Sequence, residues 1–191
     1  MKNTSGNLSQ KTLSKNFQIE GITNILEVFA LFGLGALAIV LHIKMKTPLH
    51  LPGHHGLEFM ALLMLGRYAS KMPLASSISS FGAGFMLFFP IWAGKDPFAG
   101  IIYMLPGFIL DFLYYKIKEN HKLWLIALLG GLSYAIIPVV RFVIMSFTGI
   151  KYGALLTGLA YPFFTFTLFG ALGSLFGASL MKQILNKLQK K

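Results

Sequence analysis

The chain contains no cysteine. Disulfides, thiol catalysis, cysteine-held iron–sulfur clusters and cysteine-based zinc sites are therefore excluded. Acidic residues are scarce: six Asp and Glu stand against 17 Lys and Arg in 191 residues. Charged residues make up only 12% of the chain, where a soluble domain carries roughly 25%. There is no Walker A motif, so the chain cannot power transport with ATP by itself. There is no Gly-x-Ser-x-Gly elbow and no His-Glu-x-x-His zinc motif either. No segment alternates apolar and polar residues at period two, which argues against a β-barrel.

What is present is apolar. Hydrophobic residues are 55% of the chain and Phe alone occurs 18 times. A soluble fold of this size cannot hide that much apolar surface. The apolar residues fall into six blocks, at about 22–43, 54–72, 74–93, 97–117, 123–148 and 152–184. Each is near or above the roughly 20 residues that a helix needs to cross the hydrocarbon. The expected fold class is an all-α integral membrane protein, a six-transmembrane-helix bundle over 21–184. Polar tails at 1–20 and 185–191 flank it. Ala36-Leu37-Ala38 has the form of a signal-peptidase site, but it lies inside an apolar run, so a retained span is expected. The second block contains Glu58 and Arg67, and it meets the third at Lys71-Met72-Pro73. That pair reads either as two spans or as a re-entrant hairpin.

The net charge of +11 is explained by topology rather than by nucleic acid. With the N-terminus inside, Lys2, Lys11, Lys15, Arg67, Lys71, Lys116, Lys118, Lys122, Lys182, Lys187, Lys190 and Lys191 fall on the inner side. Lys44, Lys46, Lys95 and Lys151 fall outside, and Arg141 lies within a span. This asymmetry puts both termini in the cytoplasm, in a cell membrane of the bacterial inner-membrane kind.

Pro106, Pro138 and Pro162 lie inside three late blocks, each roughly 15 Å from the outer end at 1.5 Å per residue. Each removes the donor to a carbonyl four residues earlier, on Ile102, Tyr134 and Gly158. Two readings stand: helices splayed around a central cavity, or the ordinary tolerance of membrane helices for proline. In the last block, Gly170, Gly173, Ser174, Gly177 and Ala178 permit close helix contact, within the fold or with a partner.

The connection after the first block carries His50, His54 and His55 among prolines and glycines, and it faces outward. Imidazoles there suit loop shaping, ligand contact or metal. Pro52-Gly53 breaks any helical face shared by His50 and His54, so no metal site is assigned. Glu58 can meet His54 and His55 on one helix face. Arg141 is the other outer-half charge, suited to an anionic ligand or to pairing with Glu58. Tyr134 and Tyr161 offer aromatic walls; Trp92 offers one too, or an interfacial anchor. The expected ligand set is His50, His54, His55, Glu58, Tyr134, Arg141 and Tyr161. Toward the inner half, Glu27, Arg67 and Asp111 read as structural ion pairs or as a coupling surface for a cytoplasmic-side partner. No catalytic residue and no cofactor is assigned. Pro52-Gly53-His54 is similar to the Pro-Ser-Gly-His stretch of lipid-phosphate phosphatases, but the serine is missing.

The whole chain resembles the substrate-binding S components of energy-coupling-factor transporters. The likeness rests on size, six blocks, inner termini and the shaped outer loop. It also rests on Gly94-Lys95-Asp96-Pro97 through Gly107-Phe108-Ile109-Leu110-Asp111, and on Gly170 to Ala178 followed by Lys182. The small residues of the first block, Ala30, Gly33, Gly35, Ala36 and Ala38, include no pair four apart, unlike that family's docking helix. The Met-His start of its nickel and cobalt members is absent, which disfavours a metal-ion substrate. The resemblance implies capture of a vitamin-like small molecule from outside, with an ATPase pair and a transmembrane coupling subunit as partners. The rival readings are a non-enzymatic membrane scaffold or assembly protein and, third, a small intramembrane enzyme.

Overall fold

The computed structural model describes residues 4–44, 51–89, 96–117 and 122–189, with side chains from residue 23 onward. Within them the chain forms six α-helices and one 3-10 turn, and no strand. They are α1 (Thr4–Lys44), α2 (Gly56–Ala69), α3 (Ala75–Leu87), α4 (Ala99–Ile117), α5 (Leu123–Thr148) and α6 (Ala160–Leu188). Four stretches are long and apolar enough to cross a membrane: Thr23–Lys44, Ala99–Ile117, Leu123–Thr148 and Ala160–Leu188. That is the pattern of a multi-pass membrane protein.

The other two helices are shorter than the sequence suggests. α2 has 14 residues and α3 has 13, about 20 Å each at 1.5 Å per residue, against a hydrocarbon core of about 30 Å. The reason lies at the junction between them. Ser70 is extended (ψ 145°) and closes α2, and the Ser70 hydroxyl takes the Met72 amide at 2.9 Å. α6 starts at Ala160 rather than near Tyr152. A 3-10 turn at Gly153–Leu155 and Gly158 at φ +102° intervene, a backbone conformation that suits glycine. Pro162 is thus the third residue of α6, where an amide would have no intrahelical partner, and no internal hydrogen bond is lost there. Pro106 and Pro138 do lie inside α4 and α5. α1 runs on through the polar tail as one helix of 41 residues.

The helices close into a ring in which α1 touches α3, α3 touches α4, α4 touches α5, α5 touches α6, α6 touches α2 and α2 touches α1. α2 also reaches α3 and α5, so it leans into the middle. Its Met60, Leu63 and Met64 are fully buried. This placement shields both of its charges from lipid, which is what an ionisable residue in an apolar segment requires.

Small residues make the closest helix contacts, while many large aromatics face outward. Phe112, Trp124, Phe147, Phe164 and Phe176 all face outward. Lipid gives no hydrophobic drive for helices to associate, so close contact must supply the attraction. Gly173 of α6 sits against the Gly56 and Leu57 carbonyls of α2, and Gly177 against Ala61. Gly170 packs on Gly130 and Gly131 of α5. The glycine series of the last helix is therefore used within the fold.

One buried ion pair ties three helices. Arg67 Nη1 of α2 reaches Asp111 Oδ1 of α4 at 3.2 Å and the Pro73 carbonyl at 2.8 Å. Asp111 also accepts the amides of Ser76 (3.2 Å) and Ser77 (2.7 Å) and the Ser77 hydroxyl (2.7 Å). Those amides belong to the first turn of α3, whose own N-cap residue, Leu74, has no side-chain acceptor. A carboxylate from a neighbouring helix thus does the capping work.

Candidate functional site

A cavity of about 270 Å³ opens at the end of the bundle where α2, α4 and α6 begin. It is lined by His42 of α1, the 51–55 connection, Tyr103 of α4, Tyr134 and Arg141 of α5, Ala154 and Phe166. Its size lies near the lower end of small-molecule sites, which run from about 300 to 1,000 Å³.

The floor is aromatic. Tyr134 stacks on Phe166 with centroids 5.0 Å apart and planes 21° apart. Phe59 meets Tyr103 edge-on at 5.4 Å and Tyr134 at 5.9 Å. The 51–55 connection lies directly on this floor. A Cβ on Gly53 would strike the Phe166 ring, and one on Gly56 would strike Tyr134. Gly53 also adopts φ +82°, so glycine serves there both in conformation and in space. The turn is held by His54 Nδ1 against the Leu51 carbonyl at 2.6 Å.

The wall is imidazole. His42, His55 and His54 pack in a row, with ring centroids 3.6 and 3.7 Å apart. Among the described residues no group of three His, Asp or Glu side chains could hold a metal ion. Glu58, in the first turn of α2, stands 3.7 Å from His55 Nδ1, beyond hydrogen-bond reach.

Arg141 supplies the cation. Its Nη2 binds Asp96 Oδ2 at 3.0 Å, and its guanidinium lies 5.9 Å from the Tyr103 ring centroid and 5.3 Å from that of Tyr152. Tyr152 donates its hydroxyl to Asp96 Oδ1 at 3.1 Å. Burial first, and then the Asp96 carboxylate, raise the Tyr152 phenol above its ordinary value, so it stays a donor at neutral pH. Arg141 Nε is buried and has no hydrogen-bond partner among the described residues.

Of the residues expected from sequence, His54, His55, Tyr134 and Arg141 line this cavity. Glu58 stands behind His55. Arg141 pairs with Asp96, not with Glu58. Tyr161 lies outside the lining and is 49% exposed. His50 and Trp92 lie outside the described residues. At the opposite end Arg67 and Asp111 form their pair, while Glu27 is half-buried with no ion pair among the described residues.

Sequence reasoning missed His42, Tyr103, Phe166, Asp96 and Tyr152. Asp96 carried a signal: Asp before Pro is a helix-start pattern, and its Oδ1 accepts the Phe98 amide at 3.1 Å. Tyr103 and Phe166 carried none, because rings are plentiful in this chain and only packing decides which turn inward.

The lining offers stacking faces, imidazole and phenol groups and one guanidinium. It contains no Ser, Thr or Lys among the described residues. Compared with known protein families, curated proteins and solved structures, the chain matches none.

Proposed function

We propose that this chain is the membrane-embedded capture subunit of an uptake system. It takes up a vitamin-like small molecule and works with a separate ATPase and coupling module. The membrane is a bacterial inner membrane, and the chain crosses it six times with both termini in the cytoplasm. The supporting observation is the aromatic cavity at the α2 start, which the distribution of Lys and Arg puts on the outer face. A pocket there meets solute before the bilayer does. The resemblance to S components of energy-coupling-factor transporters supports the same reading.

The test is affinity purification from native membranes, with mass spectrometry of retained small molecules and co-purifying proteins. Wild type should retain a metabolite and recover an ATPase pair with a coupling subunit. Arg141→Ala and His55→Ala should lower metabolite retention at least about tenfold, as expected for loss of a buried polar contact. A well-folded wild-type sample that retains neither ligand nor partners would sink the proposal.

One observation favours a second reading, a non-enzymatic membrane scaffold: Arg141 is already paired with Asp96 and braced by Tyr152. On that reading the groups of the cavity serve each other, and their variants change stability without changing what co-purifies.

A further inference from the structure

A second cavity, of about 170 Å³, lies at the opposite end of the bundle, lined by Arg67, Pro73, Asp111, Tyr114 and Tyr115. We propose that it seats the phosphate group of an anionic membrane lipid.

The argument begins with the donors of Arg67. This side chain is 8% exposed. Its Nη1 serves Asp111 and the Pro73 carbonyl, while its Nε is buried with no hydrogen-bond partner among the described residues. Asp111 cannot serve the remaining donors. Its two oxygens already receive Arg67, two amides and a hydroxyl, close to the full acceptor capacity of a carboxylate. A buried guanidinium with spare N–H groups beside an open cavity is matched by an oxyanion. The planar fork favours phosphate.

Two cations of the same sign neighbour the lining in sequence, and Lys116 Nζ lies 5.6 Å from the Phe112 ring centroid. Lys71 lies two residues before Pro73, and Lys116 follows Tyr115 directly; both are exposed. Among the described side chains, Glu27 is the other acid toward this end, since Glu58 and Asp96 belong to the cavity at the α2 start.

Depth argues for a lipid rather than a soluble phosphate. Tyr114 and Tyr115 lie in the last turn of α4, a candidate span that ends at Ile117. Tyr and Lys at the end of a span mark the headgroup level. Phe112 and Tyr115, each 62% exposed, continue the cavity's edge as an apolar outer surface along which acyl chains can lie. Basic pockets between helices at this level are suited to acidic headgroups.

The experiment uses the full chain, delipidated in detergent. Dioctanoyl-phosphatidylglycerol, dioctanoyl-phosphatidylcholine and inorganic phosphate are titrated and read by native mass spectrometry. Phosphatidylglycerol should bind about tenfold tighter than phosphatidylcholine. Arg67→Lys keeps the charge that Asp111 needs but removes the fork that holds the phosphate, and it should weaken phosphatidylglycerol binding about tenfold. Lys71→Gln and Lys116→Gln touch no buried network, so they report on the site even if the arginine variant does not fold. Each should weaken phosphatidylglycerol binding about fivefold. Equal affinity for the two lipids overturns the proposal, as does a preference that survives the lysine substitutions. Inorganic phosphate binding as tightly as phosphatidylglycerol overturns the lipid occupant and marks a soluble-anion site.

Discussion

Asp111 gathers four donors around one carboxylate, and three of them come from the first turn of α3. Removing it strands the Arg67 charge and uncaps a helix together. Asp111→Ala should therefore cost about 3–5 kcal/mol, the range for breaking a buried pair from one side. The check is thermal or SDS-induced unfolding in detergent, completed as a double-mutant cycle with Arg67→Met. The double variant should recover part of the loss, because no charge is left unpaired; simple additivity of the two losses would contradict the pairing. The sequence displayed both members, since a charge inside an apolar block asks for a partner. It did not display Ser76 and Ser77, because a cap is ordinarily sought within a few residues of the helix it closes. Here the acceptor lies 34 residues away from Ser77. The Arg141–Asp96 pair hid for a similar reason, spanning 45 residues.

At the scale of the helix, the close approach of α6 to α2 is set by two glycines. A Cβ on Gly173 would press on the backbone carbonyls of Gly56 and Leu57, which cannot move as a flexible side chain could. Gly173→Ala should cost about 1–3 kcal/mol by overpacking. Gly33 of α1 has nothing within 4 Å of the equivalent position, so Gly33→Ala should fall within about 0.5 kcal/mol of wild type. The two substitutions are chemically the same, and unfolding curves in one detergent compare them directly. Spacing alone made the glycines of the last helix legible as a packing face. It did not reveal which neighbour they meet. Pro162 shows the opposite failure: its block was read as helical from Tyr152, and the 3-10 turn moved the helix start to within two residues of it.

For the molecule as a whole, the helical, multi-pass character and four long apolar spans were readable because hydropathy depends on composition along the chain. The ring closure and the inward lean of α2 were not, because they depend on contacts between distant segments. The same holds for the cavity: four expected side chains line it, yet half of its aromatic character comes from residues that no local pattern marks. The lack of cysteine makes the chain a ready background for topology mapping. Single cysteines in place of Lys71, Lys151 and Lys187 should be tested with a membrane-impermeant maleimide on intact and opened cells. Six crossings place Lys151 outside, and Lys71 and Lys187 inside. Lys71→Cys that labels from neither side would instead place the α2–α3 junction within the bilayer, as a re-entrant hairpin.

Capping of α3 by Asp111 also has a temporal side. The four serines at 76, 77, 79 and 80 are buried within the fold, and the first amides of α3 find their acceptor on a helix made later. Because α4 follows α3 in the chain, the amides of Ser76 and Ser77 gain this acceptor only once the residues up to Asp111, 34 beyond Ser77, have been made.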